Sequence, residues 1–428
     1  MSSRTLFMDL SPLRESRDFR LLWLSQAPTT FGRQVVIVAV SYQVYVLTHS
    51  SLAVGLLGVF QAVPIVVTGL YGGALADRYD RRRIQLVGKT VVAACSLTLA
   101  LSAIGLRTPL ALIYGVVAVS AAASTMDQAA RSANVPRLVT GALLPSAMTL
   151  TQSVLQAAAI VGPALSGFVV AGVGVSGAYL LDVCGYLPAV ALIWRMSPQP
   201  PIGAHEAVSS WRAALEGLTF VRRQRLLIGL FAADLVAMIF GMPTAVFPAL
   251  ALTVFGVGAR GLGLLYAAPA VGALLGSLLS GWVGRVNRQG VAVLWAIAGW
   301  GAAITCFGLA GGRLWLGLPL LAAAGAADMV SAVFRSTILQ LSVPDFMRGR
   351  MNAFHIMVVA SGPRLGDLEA GLVAAVAGPV FSVVTGGLAC LVGIGVLAAL
   401  LPEIRRQRSP VAPSNTILRA PQDDPESP

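Results

Sequence analysis

Some twelve stretches of about twenty mostly apolar residues run from one end of this 428-residue chain to the other, centred near Val35, Val63, Leu97, Val117, Ile160, Pro188, Met238, Leu274, Ile297, Leu321, Val373 and Leu391. A stretch of that length matches the hydrocarbon thickness of a bilayer when helical. In lipid the backbone polar groups must bond within their own segment, so the expected class is an all-α polytopic membrane protein. Only 11% of the residues are charged, against about 25% in soluble domains, which excludes a soluble fold.

The formal net charge of +12 is a statement about topology. With a cytoplasmic N-terminus, 25 Lys and Arg residues fall on the inner side and 3 (Arg107, Arg260, Arg313) on the outer, while Arg33 and Arg364 sit within helices. That asymmetry and an even helix count put both termini of a multi-pass membrane protein in the cytoplasm. The cations occupy alternate short loops rather than one basic domain, so nucleic acid is not an expected partner. Cys95, Cys184, Cys306 and Cys390 stand alone in apolar segments, without metal-site or disulfide spacing. The N-terminus lacks the short apolar core and cleavage site of a signal peptide.

The longest polar interruption opens with Pro198, Pro200 and Pro201 and divides the chain near its middle. Four regions follow: a six-helix half over 1–197, a cytoplasmic linker over 198–225, a second six-helix half over 226–402, and a disordered cytoplasmic tail over 403–428. Within the linker, Trp211, Leu215, Leu218 and Val221 describe a short amphipathic helix, either lying on the inner membrane surface or solvated. Arg131-Ser132 followed by Val135-Pro136 recurs as Arg335-Ser336 followed by Val343-Pro344, each after the fourth helix of its half. Weak symmetry of this kind marks membrane proteins built from repeats, with the binding site near the midplane between them.

Two fragments imitate nucleotide sites. Gly88-Lys89-Thr90 lacks the glycine that a phosphate loop needs five residues earlier, where Arg83 stands, and Gly256-x-Gly258-x-x-Gly261 follows a membrane helix rather than a strand. No catalytic, metal or cofactor constellation is found, and His49, His205 and His355 are far apart in the topology. The chain is not expected to be an enzyme.

One loop breaks the apolar pattern sharply: residues 77–83 carry six charges in seven positions. The surrounding pattern, Gly73-x-Leu75-x-Asp77-Arg78-x-x-Arg81-Arg82, resembles the signature loop between helices two and three of the major facilitator superfamily, with Asp80 where that family usually has glycine. The resemblance implies a twelve-helix major facilitator fold in two six-helix halves and a conformational latch made by Gly73, Asp77, Arg78, Arg81 and Arg82. Its arginines would bind acidic residues of adjacent helices. Gly162-Pro163-x-x-x-Gly167 in helix five looks like the antiporter motif of the same superfamily, or it is an ordinary small-residue packing face. Thr48-His49-Ser50, Ala74 to Tyr79, Gly263-x-Leu265-Tyr266, Gly349-Arg350-Met351-Asn352 and Gly366-Asp367 resemble the branch of exporters related to the enterobactin (siderophore) exporter, features that drug exporters share.

A charge inside the bilayer costs about 2.5–3.5 kcal/mol at a helix centre and normally faces a cavity. Arg33 makes a polar face on helix one with Gln26 and Thr30. Arg364 and Asp367 lie three apart on helix eleven, where pairing is expected, with Glu369 pointing elsewhere. Asp182, Asp234 and Asp328 read as isolated carboxylates, and Asp127 with Arg131 as a structural i,i+4 pair. Arg33, Asp182, Asp234, Asp328, Arg364, Asp367 and Glu369 are therefore the candidates for proton coupling or for lining a substrate cavity.

The expected activity is export of a small amphipathic molecule, a siderophore or drug, by a monomer in the lipid bilayer using protons as coupling ion. An importer or facilitator of the same fold, and a non-transporting membrane sensor, stay open as alternatives.

Overall fold

A computed structural model describes residues 9–105, 108–200, 210–344 and 347–407; within these, the side chains at 70–77, 210–214, 348–350, 352, 353 and 356 are outside the description. The described residues form helices joined by short turns. We label the bilayer-length passages α1 (Arg17–Thr48), α2 (Ser51–Arg78), α3 (Arg81–Ile104), α4 (Leu110–Leu138), α5 (144–173), α6 (175–194), α7 (Arg225–Phe240 and its continuation to Val254), α8 (Gly258–Leu278), α9 (Gln289–Gly308), α10 (Leu314–Ser342), α11 (Arg348–Ala377) and α12 (Pro379–Leu400).

Ten of the described helical stretches are long and apolar enough to cross a membrane. The longest, Gly141–Trp194, supplies two of the passages, because Gly174 has φ 76° and ψ −179° and reverses the chain there. That backbone is open only to glycine. The ten do not include α11, which carries Arg364, Asp367 and Glu369.

Local chemistry sets the helix ends. Ser16 begins α1 by accepting the Phe19 N–H at 3.2 Å. At its other end His49 takes the left-handed conformation, φ 51°, and its N–H bonds the Tyr45 carbonyl. This makes a tight turn at Thr48–Ser51. Asp80 starts α3 by accepting the Arg82 N–H at 2.9 Å, and the same Oδ1 accepts the Gln199 N–H at 3.0 Å. The aspartate that departs from the superfamily pattern is therefore a helix cap that also holds the start of the linker.

Within α1–α6, α1 packs along α5 and α6, α3 against α6, and α4 against α2 and α3. Within α7–α12, α10 packs on α8 and α9, and α12 on α9 and α11. The two sets meet along α2–α11 and α5–α8, and glycines bring them together. A Cβ on Gly55 would lie 2.4 Å from the Asp367 carbonyl oxygen, and one on Gly371 2.7 Å from that of Ser51. On the other seam, a Cβ on Gly167 would lie 2.6 Å from the Ala259 carbonyl oxygen. Both seams lie toward the end carrying the His49 and Gly256–Gly258 turns.

The linker contains the expected helix, Ser210–Arg222. It packs against α11 and α2 with Val221 buried, so it is part of the protein body. Residues 403–407 of the expected disordered tail are also ordered: Pro402–Arg406 is a short helix whose Ile404 is fully buried against Gly229 and Gly290, and Glu403 pairs with Arg225 at 3.6 Å. The rest of the tail, 408–428, lies outside the described residues.

Candidate functional site

The site begins with a fault in α7. Gly241-Met242-Pro243 cannot continue the helix, since proline has no N–H and its ring excludes the preceding turn. The chain restarts as a 3₁₀ turn, Thr244–Val246, and ends in a π turn, Leu250–Val254. The polar groups released by the break must be satisfied inside the protein. Trp300 of α9 donates to the Gly241 carbonyl at 2.8 Å, and Tyr266 of α8 donates to the Thr244 carbonyl at 3.1 Å. Asp367 of α11 accepts the Ala245 N–H at 3.0 Å and the Thr244 hydroxyl, capping the restarted helix. The expected Arg364–Asp367 pair does not form, because the carboxylate turns to the break in α7.

Two cavities adjoin this break. The first, of about 350 Å³, is lined by α1, α2, α3, α4 and α6 with Met242, Thr244, Ala245, Tyr266, Arg364 and Asp367 of the other set. The second, of about 300 Å³, lies among α7–α10 with Gln34, Ile37, Ala159 and Pro163 on its far wall. Ile37, Met242 and Tyr266 line both. Ile37 of α1, Met242 of the α7 break and Tyr266 of α8 thus form a wall common to the two cavities.

Of the candidate residues, Arg33, Asp182, Arg364 and Asp367 line the first cavity and Asp328 the second. Asp182, 1% exposed, accepts the Ser96 hydroxyl at 2.5 Å and lies against Gly32. Asp234 and Asp328 are not isolated. Arg335 lies 2.8 Å from Asp234 and 4.0 Å from Asp328, all within the bilayer-length helices. Glu369 lines neither cavity.

Three of the cations counted on the inner side, Lys89, Arg131 and Arg335, are buried. Lys89, 1% exposed, pairs with Asp127 at 3.1 Å, so the expected Asp127–Arg131 pair gives way to a bond across α3 and α4. Arg131 bonds Gln128, and Arg335 pairs with Asp234. The sequence repeat thus places an arginine at equivalent buried positions, with different partners in each half. Sequence reasoning also missed the α7 break, although Gly241-x-Pro243 was its signal. The Asp234–Arg335 pair had no local signal, since its members are a hundred residues apart.

In the charged loop, Gly73 and Asp77 lie outside the residues whose side chains are described, and Arg78 is exposed. Arg81 donates to the Ala133 carbonyl at 2.9 Å. Arg82 donates to the carbonyls of Ile193, at 3.2 Å, and Trp194. These contacts place one cation beside the C-terminal part of α4 and another over the end of α6, toward the negative end of each helix dipole. The partners expected for both arginines were acidic side chains; the described ones are backbone oxygens. In the second motif, Gly162 packs on Gln34, Gly167 on α8, and Ser166 donates to the Val35 carbonyl at 2.8 Å.

The family model described as transmembrane secretion effector matches residues 8–423. The chain is 29% identical over 415 residues to the enterobactin exporter EntS of Citrobacter koseri, covering 96% of this chain and 98% of that one. It is 30% identical over 414 residues to the protein of the same name in Shigella boydii, covering 95% and 97%. Among solved structures it is similar to a POT family transporter in complex with 5-aminolevulinic acid, with TM-score 0.72, 13% identity and coverage of 91% and 97%. A bacterial homologue of the human lysosomal transporter Spinster, inward-facing and unoccupied, gives TM-score 0.70 and 15% identity over 92% and 98%. These likenesses in structure are likenesses of fold.

Proposed function

Because this chain belongs to the transmembrane secretion effectors of the major facilitator superfamily, as a membrane transporter and not an enzyme, we propose that it exports a small amphipathic molecule of siderophore or drug type across the bacterial cytoplasmic membrane. The observation that carries this reading is the pair of cavities sharing a wall between two helix sets, drawn tightly together at one end through Gly55, Gly167, Gly263 and Gly371. A cavity closed on one side by contacts that can be exchanged for others is what alternating access requires.

In this mechanism 1–197 and 226–402 rock as two halves joined by 198–225, with both termini cytoplasmic, and the sealed seams face outward. Substrate enters from the cytoplasm and settles against the α7 break. The glycine seams then part, and the charged loop over Gly73, Asp77, Arg78, Arg81 and Arg82 favours one of the two states. Proton entry through one of the intramembrane carboxylates supplies the driving force. The names of the curated relatives support a siderophore-like cargo, and the tight crossing at Gly162, Pro163 and Gly167 is compatible with an antiporter.

The test is uptake into inside-out vesicles. With an imposed pH gradient, vesicles containing the protein should accumulate siderophores or lipophilic drugs and lose them on addition of an uncoupler. Accumulation only in right-side-out vesicles, or none across a broad panel, would overturn the export reading.

A further inference from the structure

The cations within the spanning helices fall into two groups. Lys89, Arg131 and Arg335 are buried and partnered by Asp127, Gln128 and Asp234. Arg33 and Arg364 line the first cavity, and neither has an ion pair or hydrogen bond among the described residues. The carboxylates of the same cavity make their hydrogen bonds to other groups. Asp367 is committed to the Thr244 hydroxyl and the Ala245 N–H. Asp182 holds the Ser96 hydroxyl with one oxygen, and its other oxygen, against Gly32, has no hydrogen-bond partner among the described residues. Arg364 feels the charge of Asp367 and, after it, that of Arg33.

A guanidinium stays protonated in any protein environment and offers a planar fork of five donors. Arg33 is exposed to the cavity and Arg364 is half-buried, so beside walls such as Val36, Val40 and Leu57 an anion would meet two unpaired forks of donors. The two arginines also come from different halves, one on α1 and one on α11.

We propose that the transported molecule carries a carboxylate, or an anion of similar shape, which Arg33 and Arg364 grip together from the two halves, while its apolar part lies against the aliphatic wall. The anion removes the repulsion between the two guanidiniums and ties the halves through the substrate. This rests on the transporter reading and assigns the substrate class of its cavity.

The experiment uses the full chain in lipid nanodiscs with matched ligands, 2-naphthoate and 2-naphthamide, and reads binding by intrinsic tryptophan fluorescence. The carboxylate should bind at least about tenfold more tightly than the amide. Arg33→Gln and Arg364→Gln should each abolish that preference, while Arg33→Lys and Arg364→Lys retain part of it. Equal binding of acid and amide by the unaltered protein, or an acid preference that survives in monodisperse Arg33→Gln and Arg364→Gln proteins, would overturn the proposal. If the glutamine variants do not fold, the acid-to-amide ratio of the unaltered protein and the lysine variants decides alone. Flux in proteoliposomes keeps the two readings apart. Acid preference without outward flux defeats only export, whereas export of the amide with no acid preference defeats only the anion site.

Discussion

Gly167 of α5 and Gly263 of α8 cross so closely that a Cβ on Gly263 would lie 3.0 Å from the Gly167 Cα and 2.5 Å from the Pro163 carbonyl oxygen. Two backbones in such contact belong to different halves of the protein, and no side chain larger than hydrogen fits between them. The Gly162-Pro163-x-x-x-Gly167 motif therefore has a physical task whatever the coupling ion: it lets one seam between the halves close.

Gly263→Val should hold that seam apart. Overpacking a tight contact costs about 1–3 kcal/mol, enough to shift a two-state balance by roughly 5- to 150-fold. The variant should insert normally and lose most transport. Cysteines placed beside the seam should become more reactive to a membrane-impermeant thiol reagent, and unchanged reactivity with normal flux would refute this role.

Asp234→Asn strands Arg335, whose only other carboxylate within 4.0 Å among the described residues is Asp328. Breaking a buried ion pair from one side costs about 3–5 kcal/mol, whereas replacing both partners can be nearly neutral. The single variant should lower the detergent melting temperature and the yield. Asp234→Asn with Arg335→Gln should recover both, and a double variant as unstable as the single would count against the pair.

Asp80→Gly restores the residue usual in the superfamily but removes a helix cap and the hold on Gln199. A cap of this kind contributes about 1 kcal/mol. Limited proteolysis should cut the linker near 200 faster in the variant, with little change in the rest of the digest.

Asp77→Asn tests the latch proposed for the charged loop. The transport cycle should slow several-fold with insertion and ligand binding close to normal. Loss of folded protein from the membrane would instead mark the residue as a structural brace.

How much of this was legible in advance can be argued residue by residue. Arg33, Asp182, Arg364 and Asp367 were visible as charges in apolar segments, because a charge in lipid is costly enough to signal a cavity, and all four line one. Their partners were not visible. Periodicity along one helix suggested Arg364 with Asp367 and Asp127 with Arg131, yet Asp367 binds the α7 break and Asp127 binds Lys89. Spacing along a helix says which residues share a face, but a neighbouring helix brings closer and better-aligned groups to that face.

The sequence by itself determined the class of solvent, the helical secondary structure and the superfamily. Each follows from local length, apolarity and a contiguous motif, because a bilayer forces every spanning segment to satisfy its own backbone. Only the tertiary structure decided which charges pair, where α7 breaks and which glycines let the halves touch. Those depend on contacts between segments as far apart in sequence as Gly55 and Asp367 or Asp234 and Arg335, and hydropathy along one helix carries no information about the rotation of another.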